Sequence, residues 1–365
     1  MGKKVGIVIH PIERGLLYDY EPGMKRFSID VAKKILQWMS PFKASTIEGI
    51  RSALTGEEFY GELIMCPLLM EQMVSLSPRK VLNRVVKAAR LAKDRGANMV
   101  ALVGYSGLVG MGGMKVYENV KIPLTIGMHM TIAIAPQTII KAVNFLGYRH
   151  RRLKVFIFGV NIFTEMVIHK LERLVNEFYL CHTSLDRKID FYNYLPENLK
   201  KKIKIVHDDP LIFIKEMDIV INFTSKKPLG FDENYLKKGA IVFDASYPRD
   251  IVISRDDVLL TDGLVLRPPG EPKFNFNFGL EEGFCFPCMA EPITLYFENR
   301  FESYSLDKDF SIERAEAIYN LALKHGFKLG HLTSYEKIIP PQKIEAVRKN
   351  LARKSFFFSR LRGKN

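Results

Sequence analysis

From residue 153 onward, short apolar runs alternate with helix-forming stretches, and that alternation restricts the fold more than any other feature of the 365-residue chain. Val155-Phe-Ile-Phe158 is a four-residue apolar run, Gly159 follows it, and the pattern predicts a helix over 163–175. Further strands are expected over 178–181, 204–206, 218–223 and 240–243, with a short helix over 210–215. Apolar runs without polar alternation need cover on both faces, which is the condition of a parallel strand between helical layers. Residues 150–270 therefore read as a doubly wound, Rossmann-type sheet.

Before this region the pattern is also mixed. Val5–Ile9 reads as a buried strand ended by His10-Pro11, and Asp30 as the N-cap of a helix over 31–39. Pro78 opens a helix over 79–95 that Gly96 closes. A strand over 99–103 runs into the loop Gly104-Tyr-Ser-Gly107, and a helix is expected over 138–145. Two stretches, 97–114 and 122–140, hold no charge apart from His129. Five glycines in the first and two prolines in the second favour strands followed by tight loops over spanning helices, which need about 20 apolar residues. The last third returns to helices, one from near Pro287 and one over 312–325. The expected fold is α/β, with an N-terminal α/β domain (1–148) and a Rossmann-type domain (149–270). A helical segment (271–335) and a basic tail (336–365) complete the chain.

Composition adds limits. Apolar residues at 47% and charged residues at 26% exclude a disordered or collagen-like chain. The 54 basic and 40 acidic side chains leave +14, which draws anions of every kind without choosing among them. Four cysteines make no disulfide framework, so a reducing compartment is expected. Only five residues separate Lys4 from His10, too few for a signal-peptide core. The expected location is cytoplasmic, with peripheral contact to an anionic membrane through the tail: 342–365 carries eight Lys or Arg, one Glu and Phe356-Phe-Phe358.

The chemistry-bearing residues fall in three places. In Gly283-Phe-Cys285-Phe-Pro287-Cys288, Pro287 suits the first helical position and puts Cys288 in the first turn, where amides favour a thiolate nucleophile. A buried apolar residue and a redox dithiol are the other readings of the pair; a zinc site lacks its second half. Gly159-Val-Asn161 begins where a dinucleotide loop would, but only the first glycine of that pattern is present, and Glu165 would oppose a phosphate. Gly159 and Asn161, with Thr224 and Ser225 after the fourth strand of that domain, are the candidate cofactor contacts. His10 and His129 read as satisfied core residues.

Several pieces, in order, carry a family resemblance: Arg79-Lys-Val-Leu-Asn83, Leu102-Val-Gly-Tyr-Ser106, Thr125-Ile-Gly127 with Thr131, Asp244-Ala-Ser-Tyr-Pro248 and Phe286-Pro-Cys288-Met-Ala-Glu291. Together they resemble the aldehyde-forming long-chain acyl-carrier-protein reductases of cyanobacterial type. The resemblance implies that Cys288 takes a fatty acyl group from acyl-carrier protein or acyl-CoA, and that NADPH or NADH reduces the acyl-enzyme. Ser106, Thr131 and Tyr247 are then candidate hydrogen-bond donors to the developing oxyanion. The chain departs from the family at Ile162 and Glu165, where glycines belong, and at Thr183, where an arginine belongs, with Arg187 and Lys188 close by. The rival readings are an acyl thioesterase or acyltransferase without hydride transfer, and a non-enzymatic acyl- or lipid-binding protein. No nucleic-acid partner is expected.

Overall fold

A computed structural model describes residues 2–362, apart from 12–14, 16–17, 19–20, 149–151, 225–227, 229–230, 247–250, 307–309 and 336, with side chains to residue 351. The chain forms two units, Met1–Ile134 with Val265–Gly330, and Ala135–Leu264 with His331–Asn365.

In the first unit, β1 (Val5–Ile9) is buried at every position, as a strand between two layers must be. It lies between β3 (Gly61–Met65) and β4 (Met99–Leu102), both parallel to it, and β5 (Leu124–Thr125) extends the parallel set beyond β4. On the other side β2 (Phe42–Ile50) runs antiparallel to β3, and β12 (Gly270–Lys273) antiparallel to β2. The carboxyl ends of β1, β3, β4 and β5 thus deliver His10, Cys66, Gly104 and Gly127 to one edge.

Helix α1 (Ile29–Trp38) is capped by Ser28, whose Oγ accepts from Val31 N at 3.4 Å, and not by Asp30. Asp30 sits in the first turn instead, where its negative charge complements the helix dipole. Helix α2 (Pro78–Asp94) begins on its proline and faces the sheet with Val81, Val85 and Ala89. The stretch after β5 is helical far earlier than its sequence suggests: α3 runs over Met128–Leu146 with Pro136 inside it. Among the described residues no helix is long and apolar enough to cross a membrane.

At the opposite, amino-terminal edge, Glu62 accepts two bonds from Arg95, at 2.7 and 2.9 Å, and pairs with Lys4 at 2.9 Å. The Arg95 hydrogen bond, above all, holds its carboxyl down to about 2. A depressed carboxyl stabilises the fold fully above the ordinary carboxylate range, and that contribution is lost as pH falls toward 2. Glu62→Gln is therefore expected to cost roughly 1–2 kcal/mol at pH 7, discounted for solvent screening, about half of that near pH 3, and nearly nothing only below about pH 2. Urea denaturation across that range checks this; a cost independent of pH would assign the effect to packing.

The second unit confirms the Rossmann-type reading. Its strands are β6 (Leu153–Phe158), β7 (Val175–Cys181), β8 (Ile203–Ile205), β9 (Ile219–Asn222), β10 (Ile241–Asp244) and β11 (Leu259–Thr261). They lie in the order β8-β7-β6-β9-β10-β11, all parallel. Val155, Ile157, Ile219 and Ile221 point into one core layer, and Phe156, Phe158 and Val220 into the other. Both faces are covered, as the unbroken apolar runs require.

The chain's last third supplies α6 (Pro287–Phe297) and α7 (Ile312–His325), both in the first unit, and α8 (Pro341–Arg362) in the second.

Candidate functional site

In the second unit the chain leaves β6 toward β7 and β8 and later returns to the other side for β9, so the carboxyl ends of β6 and β9 flank a topological switch point. Gly159 makes the turn there with φ of 97°, and a Cβ on it would come within 3.1 Å of the Phe223 carbonyl. Only glycine fits. Helix α4 (Ile162–Leu171) starts immediately after. Asn161 Oδ1 accepts from Phe163 N at 3.0 Å and Thr164 N at 3.4 Å, while its Nδ2 donates to Phe223 O at 3.1 Å. The buried Thr164 hydroxyl donates to Gly159 O at 2.9 Å. Where the dinucleotide pattern has its second and third glycines, this loop thus carries side chains that satisfy its own backbone.

Across the crevice, Thr224 N and Oγ1 both donate to Asn222 Oδ1, at 3.0 and 2.6 Å. Asn222 Nδ2 donates to Asp244 Oδ1 at 3.0 Å, and Ser246 N donates to the same oxygen at 3.1 Å. The Ser246 hydroxyl is buried and has no hydrogen-bond partner among the described residues. Beyond β7, where helix α5 (Leu185–Tyr194) begins, Thr183 and Arg187 are exposed, whereas Lys188 is committed, its ammonium donating to Val206 O at 2.7 Å. Ser225 and Tyr247 lie outside the described residues.

Cys288 stands in the first turn of α6, behind Pro287 at its opening position, as the sequence spacing predicts. Its thiol faces the amides of Gly104, Met289 and Cys288 itself. The expected lowering of its pKa is nevertheless outweighed. Burial outweighs the amides, the Glu291 charge acts in the same direction, and the thiol is pushed up to about 11, neutral at pH 7. Cys285 is fully buried and raised further still, with its backbone paired to Leu266 in both directions. Ser106 and Thr131 donate to backbone carbonyls, Val103 O at 2.7 Å and Gly127 O at 2.9 Å, so neither hydroxyl is free for an oxyanion.

The sequence reading passed over the group that organises this corner. Glu291, one turn beyond Cys288, is fully buried and accepts from Thr125 Oγ1, from Met130 N at 3.0 Å and from the Ser305 hydroxyl. His129 Nε2 accepts from Ser311 N at 3.3 Å, which leaves its proton on Nδ1, 2.6 Å from Ser305 Oγ. Ser305 can then give its own proton to Glu291. His10 is equally committed: Nε2 accepts from Tyr105 N at 3.0 Å, Nδ1 lies 3.2 Å from Pro11 O, and burial lowers the ring to about 4. Both histidines are satisfied core residues, as read.

A second relay joins Ser52 Oγ to His325 Nδ1 at 2.7 Å and His325 Nε2 to Glu298 Oε1 at 2.7 Å. Its order is that of a serine hydrolase, but Ser52 is 2% exposed and accepts from Leu54 N and Thr55 N. It is a clasp between a turn and α7.

No family model matches the chain. Aminotransferase PigE of Serratia sp. (strain ATCC 39006) is 27% identical over 305 residues, which are 80% of this chain and 35% of that protein. The chain thus spans about a third of the length of this relative. Among solved structures, L-tryptophan dehydrogenase from Nostoc punctiforme is similar at 11% identity and a TM-score of 0.38, covering 88% of this chain and 80% of that one. Shikimate dehydrogenase from Aquifex aeolicus is similar at 11% identity and a TM-score of 0.35, covering 87% and 97%. The matched relative overturns the resemblance to long-chain acyl-carrier-protein reductases, since it is named for amino-group transfer. Fatty acyl thioester reduction, and the catalytic-cysteine role it implied, go with it. The acyl-transfer and lipid-binding rivals gain no support either.

Proposed function

We propose that the second unit binds a nicotinamide dinucleotide and that the protein is an oxidoreductase. The observation that carries this reading is the parallel strand order β8-β7-β6-β9-β10-β11, whose switch point opens a crevice at the carboxyl edge. Two details fit a ligand there. Gly159 brings the turn against Phe223 with no side chain between, and the buried Ser246 hydroxyl, beyond the end of β10, has no protein partner among the described residues. The residues directly after β7 are His182, Thr183 and Ser184, none of which repels a 2′-phosphate, so both NADPH and NADH are admitted.

When bound, the cofactor supplies a hydride to an electrophilic substrate carbon or accepts one from it. Gly159 would let the backbone approach the pyrophosphate, and Thr224 would line the facing wall. Asn161 works against tight binding, because its carboxamide already holds two first-turn amides that a phosphate would use. The expected result is saturable but weak binding, with Kd of roughly 10–500 µM, followed by nicotinamide fluorescence. Asn161→Gly should tighten it by several fold. Failure of both nucleotides to bind both proteins would sink the reading.

A further inference from the structure

The carboxyl edge of the first unit's sheet holds a cavity of about 260 Å³ that none of the chemistry above uses. Met24, Leu36 and Met65 form its buried wall, Met39 and Phe42 its more open side, and Glu21 its rim. These come from the short turn Pro22–Arg26 and the residue before it, from α1 and the residue after it, and from the ends of β2 and β3 that meet in register, Phe42 opposite Met65. Three methionines give the wall unbranched, polarisable side chains that adapt to apolar shapes.

The rim is the informative part. Among the described residues Glu21 is the only ionisable one lining the cavity. Its carboxylate accepts from Gly23 N at 3.3 Å, and among the described residues no cation pairs with it, although the chain carries 54 Lys and Arg. The two nearest in sequence do not help: among the described residues Lys25 makes no ion pair, and the Arg26 guanidinium lies over the Phe27 ring at 5.0 Å. An apolar hollow whose mouth holds one carboxylate, with no cation on it among the described residues, complements a ligand with an apolar body and one cationic end. An anionic end would face that carboxylate, and a neutral end would leave it unanswered.

We propose that this cavity binds a primary amine carrying an unbranched or aromatic apolar group, its ammonium on Glu21 and its apolar body against Met24, Leu36 and Met65. The volume falls just below the usual range for drug-sized ligands, which points to roughly six to eight carbons. This inference stands apart from the dinucleotide reading, since every residue it uses belongs to the first unit.

The test titrates the full chain with n-hexylamine, n-hexanol and hexanoate by calorimetry, with methyl-labelled methionine spectra to locate the site. Expected are the order amine, alcohol, carboxylate, and shifts of the Met24, Met39 and Met65 methyls. The solvent-exposed pair should favour amine over alcohol by about two- to fivefold, and each added methylene from butylamine upward should tighten binding about three- to fourfold until the cavity is full. Glu21→Gln should erase the preference for amine while hexanol still binds. Met39→Trp, at a partly exposed position that tolerates size, should fill the mouth and weaken all three. Equal binding of the three ligands would overturn the amine assignment. Binding that ignores both substitutions, or no binding at all, would overturn the site.

Discussion

Alanine at Gly127 is expected to cost about 2–5 kcal/mol, a large fraction of the stability of an ordinary domain. Two separate penalties meet there. Gly127 has φ of 70°, a conformation that costs an L-residue roughly 1–2 kcal/mol. A Cβ would also lie 2.2 Å from Cys288 Cα and 2.5 Å from Cys288 Cβ and O. Those atoms belong to the first turn of α6, so relief requires moving a buried helix, and overpacking of that kind adds about 1–3 kcal/mol. Gly96 separates the penalties. It has φ of 86° in the same unit, but a Cβ on it meets nothing within 4 Å. Gly96→Ala should therefore lose only about 1–2 kcal/mol. Chemical denaturation of both variants gives the comparison, and equal losses would show that backbone strain alone acts at Gly127.

This close approach explains much of what was legible in the sequence and what was not. The central strands of the second unit announce themselves because they are buried on both faces and largely apolar, as in Val155-Phe-Ile-Phe158 and Ile219-Val-Ile221. The strands β2 and β3 were missed. Phe42–Ile50 is half-exposed and antiparallel, and carries Lys43, Ser45 and Glu48 among its apolar residues. Helix α3 was read ten residues short because Pro136 looks like a boundary, yet a proline inside a helix removes a single donor. The tight turn at Gly159 was visible in the sequence, but its self-capping by Asn161 and Thr164 was not, since a side chain that serves its own backbone looks the same on paper as one that serves a ligand.

The placement of Cys288 shows the limit most clearly. Pro287 correctly fixed the thiol in the first turn of a helix, and three amides do face it. Position within a helix is local and can be read from spacing. Burial is set by what packs on top, here Gly127 and the residues around Glu291, and it reverses the sign of the shift. The acids tell the same story. Glu62 and Glu291 are both nearly inaccessible, but Glu62 has Arg95 and Lys4 beside it, whereas Glu291 has mainly neutral donors.

That difference makes Glu291 the second site of large effect. Glu291→Ala should cost roughly 3–5 kcal/mol, because it opens a cavity and leaves the Met130 amide and the Thr125 and Ser305 hydroxyls without their acceptor. Glu291→Gln keeps the volume and one carbonyl oxygen, and its cost should be about 1–3 kcal/mol at pH 7. The pH dependence separates burial from hydrogen bonding. Burial raises the Glu291 carboxyl above its ordinary range despite the three donors. A raised carboxyl stabilises the fold most when protonated, so its contribution declines as pH climbs from the unfolded value through the folded one. The permanently neutral amide has no such decline. The cost of Glu291→Gln should therefore shrink as pH rises from about 4 to 8, opposite in sign to that of Glu62→Gln. Denaturation of both variants at several pH values reads the two slopes together. A Glu291→Gln cost that grows with pH would mean that Thr125, Met130 and Ser305 outweigh burial and hold the carboxylate charged.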